Sequence, residues 1–238
     1  MNDGSYLFSG SFDRTIRKWD AQTGECNSTI ETPHLVHVVS VTPDGGRVAS
    51  GGKDGHIYVW NTTTGDMIFG PMSGHTGAVL TVVYSPDGQC LVSGSVDKSI
   101  IVWDSSSSTK LFQTFSAHSD WIRSISFHPS GTSFVTGSYD KTIAIWGIDS
   151  FKPTHGNFLR FHTDSVRSTR HSPNGRFILS ASWDGKLRLW DARRGKVASV
   201  PVDHGRNAST AVFSPDGRWV TSGGSSNVVK IWEVREFV

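Results

Sequence analysis

Short segments in which apolar residues alternate with polar ones recur along the whole chain. Five of them approximate the period of two that is typical of a β-strand: TIRKW, HIYVW, SIIVW, TIAIW and KLRLW. Four others, VVSVT, LTVVYS, IRSISFH and STAVFS, are more continuously apolar, which indicates strands buried on both faces. Glycine, proline or serine interrupts nearly every window that is long enough for a helix. The pattern therefore predicts an all-β chain.

The strand pattern is part of a longer repeat. Six tryptophans, separated by 41, 43, 43, 44 and 42 residues, recur through the chain: Trp19, Trp60, Trp103, Trp146, Trp190 and Trp232. The tight-turn sequences TPDG, SPDG, HPSG, SPNG and SPDG precede the last five. A period of this length predicts a propeller or an array, and four short strands fit one repeat.

The six copies resemble the WD-repeat β-propeller family over essentially the whole chain. The features that carry the resemblance are a histidine near the start of the repeat, a tight turn, a Ser/Thr-Gly step, an aspartate and a closing tryptophan. The resemblance implies a propeller with four-stranded antiparallel blades, about six in number, with incomplete blades at the chain ends. Segments such as GHTGAV and SGSVDKSIIVWD are most similar to the regular repeats of large fungal and bacterial regulatory proteins.

In that family the histidine, the Ser or Thr, the aspartate and the tryptophan of one repeat form a hydrogen-bonded network. Three copies carry all four residues: His75, Ser93, Asp97 and Trp103; His118, Thr136, Asp140 and Trp146; His162, Ser180, Asp184 and Trp190. The second copy has Thr32 at the histidine position, and the sixth has Ser226 at the aspartate position. Because a buried polar network stabilises only when every member is satisfied, we expect these two copies to be less rigid.

The repeat boundaries predict one propeller domain over residues 1–238. The copies span approximately 1–31, 32–72, 73–116, 117–161, 162–203 and 204–238. Six complete repeats would need about 18 more residues, roughly one outer and one inner strand. Because unpaired strand edges promote aggregation, we expect the chain to be a fragment of a longer protein with further domains.

Composition excludes several classes of protein. Lys and Arg total 23 against 21 for Asp and Glu, so the basic excess of a nucleic-acid-binding domain is missing. The two cysteines provide neither a disulfide framework nor metal-ligand spacing. No secretory signal and no apolar run of membrane-spanning length is present. We therefore expect a cytoplasmic or nuclear protein that is neither secreted nor membrane-spanning.

The candidate catalytic residues do not form a recognisable motif. The histidines outside the repeat position lack metal-ligand spacing: His34, His37, His56, His128, His155 and His171. Neither a nucleophile elbow nor a phosphate-binding loop occurs. We predict no enzyme activity, no metal and no cofactor. An RNA-associated propeller stays an alternative because the fifth copy is locally basic, with Arg160, Arg167, Arg170, Arg176, Arg188, Arg193 and Arg194, although no aromatic residues interleave along one groove.

The resemblance also implies which residues point to the upper face of the propeller. One position directly precedes the motif aspartate, and two others lie three and five residues after the histidine position. In the fourth and fifth copies these positions hold Trp121, Arg123, Tyr139, Arg167 and Trp183, and earlier copies add Phe12, Lys53 and His37. Trp, Tyr and Arg are enriched at interface hot spots.

The leading interpretation is therefore a non-catalytic scaffold or adaptor for protein–protein interaction. Two arginines among three aromatic residues favour a protein or peptide partner with acidic or phosphorylated groups. The structural alternative is that the aromatic rings pack between blades. The functional alternative is a small-ligand or carbohydrate-binding, lectin-like propeller, which would need a similar pocket in several blades.

Overall fold

A computed structural model of the chain describes residues 4–114, 117–154 and 158–237; His155 lies outside these ranges. The described residues form 23 strands in six antiparallel sheets and one short 3-10 helix, Val234–Phe237. No α-helix occurs in these ranges, and no helical segment within them is long and apolar enough to span a membrane. The predicted all-β class is confirmed, and the six antiparallel sheets are consistent with propeller blades: three have four strands, two have three and one has five.

The strands group into two compact units, the first of which extends to Ala117 and contains three sheets. Sheet 1 consists of β1 (Tyr6–Gly10), β2 (Thr15–Asp20) and β3 (Cys26–Glu31). Sheet 2 consists of β4 (Val36–Val41), β5 (Arg47–Gly52), β6 (Ile57–Asn61) and β7 (Met67–Met72). Sheet 3 consists of β8 (Val79–Tyr84), β9 (Cys90–Ser95), β10 (Ile100–Asp104) and β11 (Lys110–Thr114).

The second unit starts at His118 and contains the other three sheets. Sheet 4 consists of β12 (Ile122–Phe127), β13 (Ser133–Ser138), β14 (Thr142–Gly147) and β15 (Leu159–Arg160). Sheet 5 consists of β16 (Val166–His171), β17 (Phe177–Ser182), β18 (Lys186–Asp191), β19 (Lys196–Val197) and β20 (Val202–Asp203). Sheet 6 consists of β21 (Ala208–Phe213), β22 (Trp219–Gly224) and β23 (Val229–Glu233).

Burial differs from the sequence prediction in one respect. The continuously apolar segments, such as LTVVYS in β8 and IRSISFH in β12, keep half-buried positions. The following strands, β9 and β13, are buried at five consecutive positions although they contain serine and glycine. Small residues are needed there because the next sheet packs closely. In sheet 4, a Cβ at Gly137 would lie 2.8 Å from a methyl carbon of Val166 in β16.

The first strand of sheets 2 to 6 carries a β-bulge near its start. In β12, Ile122 pairs with Ser138 and Ser124 pairs with Gly137, so Arg123 has no residue opposite it. In β16, Arg167 is left over in the same way. The corresponding residues in the other three sheets are His37, Leu80 and Ser209. A bulge bends the strand and redirects the extra side chain.

Candidate functional site

A buried hydrogen-bond network connects the strands of sheet 3. His75 Nε2 lies 2.8 Å from Ser93 Oγ, which also accepts a hydrogen bond of 2.9 Å from Trp103 Nε1. On the other side of the imidazole, His75 Nδ1 lies 3.2 Å from Asp97 Oδ2. All four residues predicted for this copy thus contact one another in a chain.

The same network recurs in sheets 4 and 5. In sheet 4 the three distances are 2.7, 2.9 and 3.0 Å, and the residues are His118, Thr136, Trp146 and Asp140. In sheet 5 the distances are 2.8, 2.8 and 2.7 Å, and the residues are His162, Ser180, Trp190 and Asp184. Burial raises the pKa of Asp184, but the hydrogen bond and charge of His162, together with hydrogen bonds from the amides of Lys186 and Thr163, lower that pKa to about 2. These polar groups are satisfied by one another inside the sheet, which is a structural role.

Sheets 2 and 6 replace one network member each. In sheet 2 the ring of His34 stacks on Tyr58 at 4.5 Å, and the Tyr58 hydroxyl donates a 3.0 Å hydrogen bond to Asp54. Burial, followed by this hydrogen bond, raises the pKa of Tyr58 to about 12. In sheet 6, His204 Nδ1 lies 2.8 Å from Ser222, and its Nε2 reaches Ser226 only at 3.4 Å. Sheet 6 therefore keeps the histidine but lacks the carboxylate.

Five of the predicted interface residues lie in the second unit, and four of them, three aromatic residues and one arginine, pack on one another. The guanidinium carbon of Arg167 lies 4.6 Å from the Trp183 ring centroid and 5.2 Å from that of Tyr139. Tyr139 in turn stacks on Trp121 with centroids 5.2 Å apart. We call Trp121, Arg123, Tyr139, Arg167 and Trp183 the Arg167 patch.

Local backbone geometry explains why these side chains converge. The amide of Tyr139, in the turn between β13 and β14, donates a 3.0 Å hydrogen bond to the carbonyl of Trp121, just before β12. The amide of Trp183 binds the carbonyl of Ser165 at the same distance. Each aromatic turn residue is therefore held beside the bulge that carries Arg123 or Arg167.

The Arg167 patch has a positive electrostatic character. Burial lowers the pKa of Arg167, and the neighbouring charge of Arg123 lowers it further. The buried Nε atom of Arg167 has no hydrogen-bond partner, and no carboxylate of the described residues pairs with Arg167. Trp121 is 43% exposed, whereas Tyr139, Arg167 and Trp183 are half-buried. The rings thus pack on one another and still present a surface to solvent.

The remaining predicted interface residues lie in the first unit. Phe12 is 67% exposed, and its ring centroid lies 5.1 Å from that of His37, which occupies the bulge of β4. Lys53 is exposed in the turn between β5 and β6. These three residues share repeat positions with the Arg167 patch but belong to the other compact unit.

The arginines considered for RNA binding do not lie on one surface. Arg167 is near the start of β16, whereas Arg176 follows the turn at the far end of that strand. Arg193 and Arg194 lie beside Arg176 in the loop after β18. Among the residues described, no group of three or more His, Cys, Asp or Glu side chains could hold a metal ion.

The bulges are the feature of the site that sequence reasoning missed. Each falls five residues after the histidine position, so the repeat alignment marked the residues but not their geometry. A sequence signal that could have predicted the bulges is a shift of one residue in the alternation of apolar and polar positions between the first and second strands of a repeat.

Comparison with known proteins identifies the repeat. Six segments match the family model described as "WD domain, G-beta repeat": residues 1–20, 24–61, 68–104, 109–147, 153–191 and 197–233. Autophagy-related protein 16 of Arabidopsis thaliana is 32% identical over 80 residues, 34% of this chain and 16% of that protein. Small ribosomal subunit protein RACK1y of Oryza sativa subsp. japonica is 38% identical over 64 residues, 26% of this chain and 19% of that protein.

A third relative has a similar extent. WD repeat, SAM and U-box domain-containing protein 1 of Danio rerio is 40% identical over 63 residues, 26% of this chain and 13% of that protein. The matched part is thus less than one fifth of the length of each of these three relatives.

Proposed function

The chain belongs to the WD40-repeat family, and from that premise we propose that it is a non-catalytic scaffold whose docking surface for a partner protein is the Arg167 patch. WD-repeat domains generally serve as platforms for protein binding. The loops of a rigid sheet scaffold suit this role because they vary without disturbing the strands.

One observation carries the proposal: a half-buried arginine is held between two aromatic rings and has no acidic partner among the described residues. Arg167 lies against Tyr139 and Trp183, and its Nε hydrogen-bond donor is unsatisfied. A guanidinium charge without a counter-ion attracts an anionic acceptor. The surface is therefore organised for an acceptor supplied by another molecule.

The chemistry of the surface favours an acidic or phosphorylated segment of the partner. The charges of Arg123 and Arg167 lie close enough to lower the pKa of Arg167, so an anion between them would be stabilised. Arginine binds carboxylate and phosphate oxygens through two parallel hydrogen bonds. The exposed ring of Trp121 supplies apolar contact area at a low entropic cost.

The other parts of the proposal follow the family. The protein would have no catalytic role and no cofactor, and it would act in the cytoplasm or nucleus. Residues 1–238 would form one propeller domain, accompanied by other domains in the same protein.

The experiment that tests this function is a selectivity measurement with synthetic peptides. Three fluorescent peptides have the same length and the same single leucine as an apolar anchor. They differ only in carrying glutamate, phosphoserine or lysine at the same positions. The proposal predicts saturable anisotropy changes with the glutamate and phosphoserine peptides, and a binding affinity that falls as the salt concentration rises. Equal binding of the lysine peptide, or no binding of the two acidic peptides, would contradict it.

A further inference from the structure

A second site lies in the unit that starts at His118, at the opposite end of the strands from the Arg167 patch. It is a cavity of about 550 Å³ between the turn after β12, the turn after β16 and the loop after β18. Its volume falls within the range of small-molecule sites, which is roughly 300–1,000 Å³. Its lining includes His128, Asn174, Arg176, Asp191, Arg193 and Arg194.

The cavity carries an excess of positive charge. Three exposed arginines, Arg176, Arg193 and Arg194, face one lining carboxylate, Asp191. Within the described ranges, none of the three guanidinium groups has a carboxylate oxygen within 4 Å. Like charges held together without counter-charges attract an anion.

The backbone around the arginines is fixed before any ligand arrives. Asp191 Oδ1 accepts a 2.7 Å hydrogen bond from the amide of Arg194, so this carboxylate already holds its own loop. The amide of Ala192 donates a 3.0 Å hydrogen bond to the carbonyl of Arg176, which joins the loop to the neighbouring turn. Asn174 accepts a 3.0 Å hydrogen bond from the Arg176 amide. Binding would therefore order only the arginine side chains, which reduces its entropic cost.

His128 forms one wall of the cavity. The amide of Ser130 donates a 3.1 Å hydrogen bond to His128 Nδ1, so a neutral imidazole carries its proton on Nε2. That edge of the ring passes directly over Gly175, where a Cβ would collide with it. The His128 ring can form this wall only because residue 175 is a glycine.

From this arrangement we propose that the cavity is a binding site for a phosphomonoester, the chemistry shared by phosphorylated polyols and phosphorylated side chains. A phosphomonoester carries close to two negative charges and three acceptor oxygens at neutral pH. Arginine donates paired hydrogen bonds to such oxygens, and the Asn174 side-chain amide can form hydrogen bonds with hydroxyl or peptide groups beside the phosphate. The site is separate from the Arg167 patch, because the last four residues of β16, which span roughly 13 Å, and the following turn lie between Arg167 and Arg176.

The test is isothermal titration calorimetry on the whole chain at physiological salt. Two pairs of probes distinguish the sources: fructose 1,6-bisphosphate against fructose, and a phosphoserine peptide against the same peptide with serine. The variants are Arg176→Ala and Arg194→Ala. The matched control is Arg218→Ala, which changes an exposed arginine in the equivalent turn of sheet 6.

We expect saturable 1:1 binding of a phosphorylated probe to the wild-type chain. The affinity should fall about tenfold in Arg176→Ala and Arg194→Ala and stay unchanged in Arg218→Ala. The pair that shows it identifies the source as a small polyol phosphate or as a protein side chain. Because the Arg167 patch could also bind the phosphoserine peptide, that arm supports the cavity only where the Arg176→Ala loss persists in an Arg167→Ala background. No binding of either phosphorylated probe, or equal binding in all variants, would overturn the proposal.

Discussion

The guanidinium carbon of Arg167 lies 4.6 Å from the ring centroid of Trp183, and the two residues come from a strand and a turn of the same repeat. Arg167 occupies the bulge of β16, and Trp183 occupies the turn between β17 and β18. The contact joins two repeat positions that the sequence places independently on one surface: the position five residues after the histidine and the position directly before the motif aspartate. It also means that Arg167 is oriented by the ring as well as by its own strand.

Arg167→Ala should leave the fold almost intact. The side chain is half-buried and makes two ring contacts, each worth about 0.5–1 kcal/mol where it is solvent-exposed. We expect the free energy of unfolding to fall by no more than about 1–2 kcal/mol, measured by urea denaturation. A larger loss would show that Arg167 is a structural residue, which would argue against the docking surface.

Trp146→Ala should destabilise the protein far more than Trp121→Ala. Both residues belong to the repeat that forms sheet 4, but Trp146 is 4% exposed and donates its indole hydrogen bond to Thr136, whereas Trp121 is 43% exposed. Replacing a buried tryptophan by alanine costs about 3–5 kcal/mol. Urea denaturation should show a gap of about 2 kcal/mol or more, and equal shifts would refute the distinction between network and surface tryptophans.

The low pKa of Asp184 predicts a loss of stability in acid. Burial raises the pKa of Asp184, but the hydrogen bond and charge of His162 and the backbone amides of Lys186 and Thr163 together outweigh it, so the folded-state pKa of about 2 lies below the ordinary 3.8. A group with a lowered folded pKa stabilises the protein above the unfolded pKa, and this contribution disappears as pH falls from about 4 to about 2. Allowing for solvent screening, we expect about 1–2 kcal/mol.

Asp184→Asn should therefore lower stability at neutral pH and flatten its dependence on pH between about 4 and 2. Asp149→Asn, at an exposed position outside the network, is the control and should keep the wild-type profile. Guanidinium denaturation at half-unit pH steps measures both. If Asp184→Asn keeps the wild-type slope, the carboxylate of Asp184 does not contribute to stability through this network.

Ser226→Asp should restore the missing member of the network in sheet 6. Ser226 lies 3.4 Å from His204 Nε2, and burial together with Lys230 lowers the pKa of that histidine. A carboxylate at position 226 should raise the pKa of His204 and stabilise the fold by about 0.5–1.5 kcal/mol. The gain is complete below the unfolded histidine pKa and declines as pH rises through the folded value.

The matched control for this change is Ser225→Asp, at the exposed neighbouring position. Urea denaturation at pH 6 and pH 8, with an NMR titration of His204, separates the two variants. Equal effects of the two substitutions would indicate a general charge effect rather than a restored network.

The repeat register predicted strands and network residues because both depend on local pattern. A tryptophan ten residues after a Ser or Thr marks one antiparallel pair, so Trp103 and Ser93 could be matched by counting. The backbone bond between Tyr139 and Trp121 follows from the same register. Positions that repeat in sequence therefore repeat in space.

Other features depend on how strands and turns pair, which counting does not reveal. The bulge at Arg167 arises from the register between β16 and β17, and the full burial of β13 arises from packing against β16. The cavity beside Arg176 combines residues from three separate connections. The pattern within one strand carries no information about such combinations, so the sequence places those arginines only in a locally basic repeat.

The measurement that tests the account most directly is the dissociation constant of an acidic or phosphoserine peptide for Arg167→Ala, with Arg218→Ala as the matched exposed-arginine control. Fluorescence anisotropy should show binding weakened about tenfold or more by Arg167→Ala, and within twofold of wild type for Arg218→Ala. Weakening by Arg218→Ala with unchanged binding of Arg167→Ala would contradict the assignment of the docking surface to the Arg167 patch.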